Sequence, residues 1–143
     1  MSIRIFRVLL GIGFVSNLIL PFGVYHSYVE PYVIDYLWGY KSPVGWIGLV
    51  LGLLLLAYPR TPVARKLSIG LFMVISGTLL LASVVITPSV TYDLLNLWHG
   101  TSIRAWDIDR STMNLWPVFL SIASIVIGAG PLRKRRVGKQ GMS

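Results

Sequence analysis

The chain has 143 residues, 55% of them hydrophobic and 13% charged, and a mean hydropathy of +0.71; a soluble domain carries about twice that charged fraction. This length holds four bilayer crossings of roughly 17 to 25 residues with short connections, and a second, soluble domain is not expected. The absence of cysteine excludes disulfides, thiolate metal sites, iron–sulfur ligation and cysteine nucleophiles, while the net charge of +8 has to be judged by its placement.

The first apolar run predicts a spanning helix from about Ile5 to Val29, with Arg4 just before it and Arg7 in its first turn. A cleavable leader is not expected, because no small-residue cleavage site follows and Asn17 and Pro21 interrupt the run. A second span is expected from Pro43 to Tyr58, a third from Leu67 to Thr87 and a fourth from Leu115 to Leu132, followed by a basic tail over 133–143. Helix is the expected form of all four, since isolated strands leave backbone groups unpaired in lipid and the runs lack the alternation of a barrel. The fold expected is all-α: one polytopic domain over 1–143, a bundle of four transmembrane helices.

Basic residues collect on the cytoplasmic side of a membrane. Arg4, Arg7, Arg60, Arg65, Lys66, Arg133, Lys134, Arg135, Arg136 and Lys139, ten of the 13 basic residues, fall on one side of the predicted threading. Lys41, Arg104 and Arg110 share the other side with every acid: Glu30, Asp35, Asp93, Asp107 and Asp109. Both termini are therefore expected in the cytoplasm, and the localisation expected is the cell membrane, multi-pass.

The two halves show a faint internal likeness. Leu10 to Phe14 aligns with Leu67 to Leu71 at an offset that also matches Pro31 with Pro88. A parallel repeat and a chance likeness of apolar segments both account for it. In the outer loops, Asp93 to Trp98 predicts a short amphipathic helix on the membrane surface, ended by Gly100.

Aromatic residues are one-sided. All five Trp and six of the seven Tyr lie on or near the outer side, leaving Tyr58 within. Trp38, Trp46, Trp98, Trp106 and Trp116 are accordingly candidates for contact with an apolar ligand or a partner subunit, against the alternative of a thick interfacial belt. Asn17 is the amide nearest mid-membrane, and Pro21 four residues on would free its carbonyl; together they make either a polar, kinked ligand notch or an ordinary interhelical hydrogen bond. His26 and His99 share the outer side and are the two imidazoles available to a haem; the competing reading leaves them as interfacial and surface residues. The outer acids match no calcium-loop spacing, and no metal site is expected.

Gly45, Gly48 and Gly52 line one side of the second span, and Gly70, Ser76, Gly77, Ser121, Ser124 and Gly128 offer close-approach faces on the third and fourth. Arg133, Lys134, Arg135 and Arg136 are positioned for anionic lipid head groups, each worth about 1 kcal/mol there. No aromatic interleaving accompanies them, so nucleic acid is not an expected partner.

Arg7, Gly11 and Phe14, the Gly48 and Gly52 span with its basic turn, and Gly128-Ala129-Gly130-Pro131 resemble small four-span membrane proteins of the DoxX type. That resemblance implies an association with quinone-linked respiratory subunits. The chain departs from the pattern where a glycine and a lysine belong late in span one, which reads Asn17 to Leu20, and it lacks the acid at the start of span two.

No nucleophile and base pair, intramembrane acid or phosphate-binding glycine loop is legible, so no catalytic residue is named. The leading expectation is a noncatalytic subunit packed within a larger membrane complex, which the resemblance alone implies to be respiratory. The alternatives are a small homo-oligomeric transporter or channel, and a redox protein binding quinone or haem. The partners implied are lipid and other membrane subunits or further copies of the chain.

Overall fold

The computed structural model describes residues 2–27, 34–60, 67–99, 106–109 and 113–140. In chain order the elements are α1 (Ile3–Ser16), β1 (Pro21–Ser27), β2 (Ile34–Trp38), α2 (Pro43–Ala57), α3 (Ile69–His99), β3 (Trp106–Asp109) and α4 (Trp116–Gln140). Single-turn 3-10 helices at Gly39–Lys41 and Tyr58–Arg60 flank α2. The chain is mostly helical, and among the described residues two segments, Pro43–Arg60 and Ile69–Pro88, are long and apolar enough to cross a membrane.

The first predicted span is only half helix. Ser2 caps α1 by accepting from Arg4 N at 3.3 Å, and the helix stops after 14 residues at Ser16. Asn17, Leu18 and Ile19 then donate to carbonyls three residues back, a tightened closing turn of the kind that ends helices. Pro21 opens β1, and Val24 and Tyr25 are strand formers by side-chain shape. Pro21 therefore starts a strand and does not kink a helix, which corrects the notch expected at Asn17 and Pro21.

β1 is the central strand of an antiparallel sheet ordered β2-β1-β3. It pairs Val24 with Tyr36 and Tyr25 with Asp35 on one side, and Val24 with Asp109 and His26 with Asp107 on the other. The two connections expected to lie outside thus contribute to one small sheet, and the chain is not all-α. Phe22, Tyr25 and Leu37 turn one sheet face into the core formed by Leu10, Phe14, Leu51, Leu55, Met73 and Leu80 of the helices, so sheet and bundle share one interior.

α2 occupies the expected second span. Its start is set by Ser42, whose Oγ accepts from Gly45 N at 3.4 Å, with Pro43 at the first helical position, where its missing N–H is no loss. α3 begins as expected but runs on through Pro88 to His99, so Asp93 to Trp98 is the far end of a long helix and not a separate surface helix. α4 likewise continues through the basic segment to Gln140.

The aligned pieces of the supposed repeat are not equivalent: Leu10 to Phe14 lies in the second half of α1, and Leu67 to Leu71 straddles the start of α3. α1 packs on α2 and α3 on α4, with α2 against α3 and a thinner contact of α1 with α4. Both hairpins close on residues without bulk. A Cβ on Gly48 would stand 2.7 Å from Phe14 O, one on Gly52 2.6 Å from Gly11 O, and one on Gly128 2.6 Å from Gly70 O, distances that only a glycine permits at an unshifted backbone.

Candidate functional site

The thin α1–α4 contact leaves an apolar cleft of about 390 Å³ whose walls include Phe6, Leu9, Leu10, Trp116, Phe119 and Leu120. α1 and α4 touch at its edge. There Trp116 Nε1 donates to Ser16 Oγ at 3.1 Å, and Ser16 Oγ donates to Gly13 O at 2.7 Å. The Trp116 and Phe119 rings stack at 5.8 Å and 19° and form a flat aromatic wall. Lower down, Gly13 lies against the Leu120 side chain, where a Cβ would come within 2.8 Å. Such a groove offers dispersion and burial of apolar surface, with one indole N–H already used, so it suits a hydrocarbon tail, a flat apolar ring or a partner helix.

Asn114 fixes the position of this wall. Its backbone N–H donates to Phe22 O at 2.8 Å, its Nδ2 to Pro21 O at 3.1 Å, and its Oδ1 accepts from Trp116 N at 2.9 Å. One side chain therefore joins the start of β1 to the start of α4, and Trp116 inherits its place from it. The sequence signal was an Asn two residues ahead of a helix start, the spacing of an Asx turn.

The polar groups inside the bundle serve the backbone. Asn17 is 3% exposed and its Nδ2 donates to Phe14 O at 3.2 Å. Ser83 Oγ donates to Leu80 O and Thr87 Oγ1 to Ser83 O, both at 2.6 Å, while Ser124 Oγ crosses to Met73 O at 2.8 Å and stitches α4 to α3. Ser76 Oγ is buried without a partner among the described residues. A hydroxyl turned onto a helix carbonyl has spent its one donor, so only its oxygen lone pairs remain for a passing solute.

The remaining residues singled out in the sequence scatter. Trp46 is 54% exposed and donates to Tyr40 O at 2.9 Å; Trp38 is half-buried at the end of β2, its ring 6.1 Å from Tyr36. Gly45 packs on the Gly39 turn, apart from Gly48 and Gly52, which face α1. His26 lies on β1 and His99 at the end of α3, and the side chains of His99, Trp98, Trp106 and the 133–136 cations lie outside the described ones. Among the described residues no group of three His, Cys, Asp or Glu gathers.

No family model, curated protein or solved structure matches the chain.

Proposed function

We propose that the chain is a multi-pass protein of the cytoplasmic membrane, its four helices spanning the bilayer with both ends inside, and that it works as a noncatalytic subunit packed beside other membrane proteins. One observation carries the reading. Every helix keeps large apolar side chains exposed on the side away from the core: Ile12 on α1, Val50 and Leu53 on α2, Leu79 and Val85 on α3, Phe119 and Val126 on α4, each at least half exposed. A water-facing helix puts charge or polarity there.

The accessory role is supported by what the interior holds. Its polar side chains are few, small and largely hydrogen-bonded to carbonyls, which favours a packing element over a solute path. Extraction in mild detergent followed by blue-native electrophoresis and mass spectrometry tests it. Comigration with larger, unrelated subunits is expected; a homogeneous small oligomer of this chain alone would instead select the transporter or channel alternative.

The α1–α4 cleft favours a second reading, in which the groove seats an apolar ring or tail such as a quinone. Purified protein carrying stoichiometric quinone in its solvent extract would establish it, and a Soret band would extend it to haem at His26 and His99.

A further inference from the structure

At the opposite end of the molecule from the sheet, the first turns of α1, the closing turn of α2 and the start of α3 surround a cleft of about 550 Å³. Its described lining is Ile3, Arg4, Arg7, Tyr58, Pro59 and Ile69. Two of these side chains are cations and none is an acid. All five acids of the chain lie elsewhere in the sequence, at Glu30, Asp35, Asp93, Asp107 and Asp109. Arg4 and Arg7 are three residues apart on a helix and so share a face.

Arg7 is the informative member. Its Nη1 donates to Leu56 O at 3.5 Å, a carbonyl from the last turn of α2 that has no helical partner. That long bond uses one of five guanidinium donors, and Nε is buried with no acceptor among the described residues. Capping α2 therefore accounts for one N–H of Arg7 and for nothing of Arg4, which is exposed. A buried cationic donor left unmatched is costly, and a multidentate anion is the acceptor that a guanidinium fork fits best.

The other walls are fixed and apolar. The Tyr58 hydroxyl donates to Leu67 O, and its ring lies 5.3 Å from that of Phe72. Ile3, Pro59 and Ile69 supply hydrocarbon beside the two cations.

We propose that this cleft binds a phosphate group, held by the Arg4 and Arg7 guanidinium groups, with the apolar part of an amphiphilic carrier lying on Ile3, Pro59 and Ile69. The choice of carrier rests on the membrane reading: with this end facing the cytoplasm, the cleft stands at the head-group depth of the inner leaflet, where anionic phospholipid supplies the phosphate.

The full chain in an uncharged detergent is titrated with phosphatidylglycerol and, separately, with inorganic phosphate, and bound adducts are counted by native mass spectrometry. The wild type is expected to hold phosphatidylglycerol, and R4Q and R7Q each to bind it about tenfold more weakly, the worth of one charge-assisted pair. R60Q, an exposed cation outside the lining, is expected to bind as the wild type does. Displacement by inorganic phosphate would assign the site to free phosphate, and resistance to it would assign it to lipid; either keeps the phosphate site. If R7Q does not fold, R4Q at the exposed rim decides the matter. Equal affinity of wild type, R4Q and R60Q, or no adduct on the wild type, overturns the inference. A chain that stays in solution without detergent would remove the membrane reading while leaving arginine-dependent phosphate binding intact.

Discussion

At the scale of single residues, what sets this molecule apart is where it tolerates no side chain. Gly39 sits where a Cβ would collide with the Asn17 carbonyl oxygen, and Gly128 where one would stand 2.6 Å from Gly70 O. Gly130, two residues along the same helix, has nothing within 4 Å of its added Cβ. G128A is therefore expected to destabilise the chain by about 1–3 kcal/mol, because backbone has to move to admit it. G130A should be neutral or stabilising within about 1 kcal/mol, since it only gains helix propensity. Reversible unfolding in mixed micelles with increasing denaturing detergent measures both, and equal behaviour of the pair would contradict the α3–α4 seam. The Asn114 side chain makes two hydrogen bonds, so N114A should cost about 1–3 kcal/mol. N114D keeps the acceptor for Trp116 N and should recover part of that loss; thermal melts followed by tryptophan fluorescence compare them.

Among the elements, length is the governing quantity. α1 has 14 residues and so reaches about 21 Å at 1.5 Å per residue. The apolar part of α4, Trp116–Gly130, is of similar length, while a hydrocarbon core is about 30 Å thick. The two segments that come closest to that thickness are Ile69–Pro88 of α3, with 20 residues, and Pro43–Arg60, with 18. The proposed bundle is thus shorter on its α1 and α4 side, the side that carries the apolar cleft. A bilayer meets such a mismatch by thinning locally or by letting another protein cover the short face, which is why the cleft is the contact expected for a partner subunit. Substituting Leu9 by Trp would fill the groove from α1. Comigration with partners on blue-native gels should then be lost while the melting temperature in detergent stays within a few degrees of the wild type, as expected for a change of less than about 1 kcal/mol at an exposed site.

For the whole molecule, charge placement and the sheet define two unlike ends. The chain has no cysteine, so single-cysteine variants report on one position each. Y40C, at a residue 50% exposed beside the sheet, is expected to react with a membrane-impermeant maleimide added to intact cells. R60C, exposed in the turn after α2, should react only after the membrane is opened. The reverse pattern would invert the proposed threading and move the arginine cleft to the outer leaflet.

The chain already marks its helices through their apolar content and end signals: Ser42-Pro43 opens α2, the third run starts within two residues of Ile69, and Arg4 and Arg7 lie in the first turns of α1. These signals are local, carried within a few residues of where they act, and so they are legible without a fold. The sheet is not of that kind. β1 continues an apolar run that reads as helix, and it becomes a strand because it pairs with β2 and with β3, the latter more than seventy residues away in sequence. Nor does a GxxxG step name its partner: Gly48 and Gly52 meet α1, and Gly128 meets α3, only after the helices are arranged. The Arg4 and Arg7 cleft belongs to the same class, for its donors lie one helical turn apart in sequence while Tyr58, Pro59 and Ile69 are brought to them by packing. Pairings of this range are settled by the entropy and geometry of the whole chain, which no window of sequence contains.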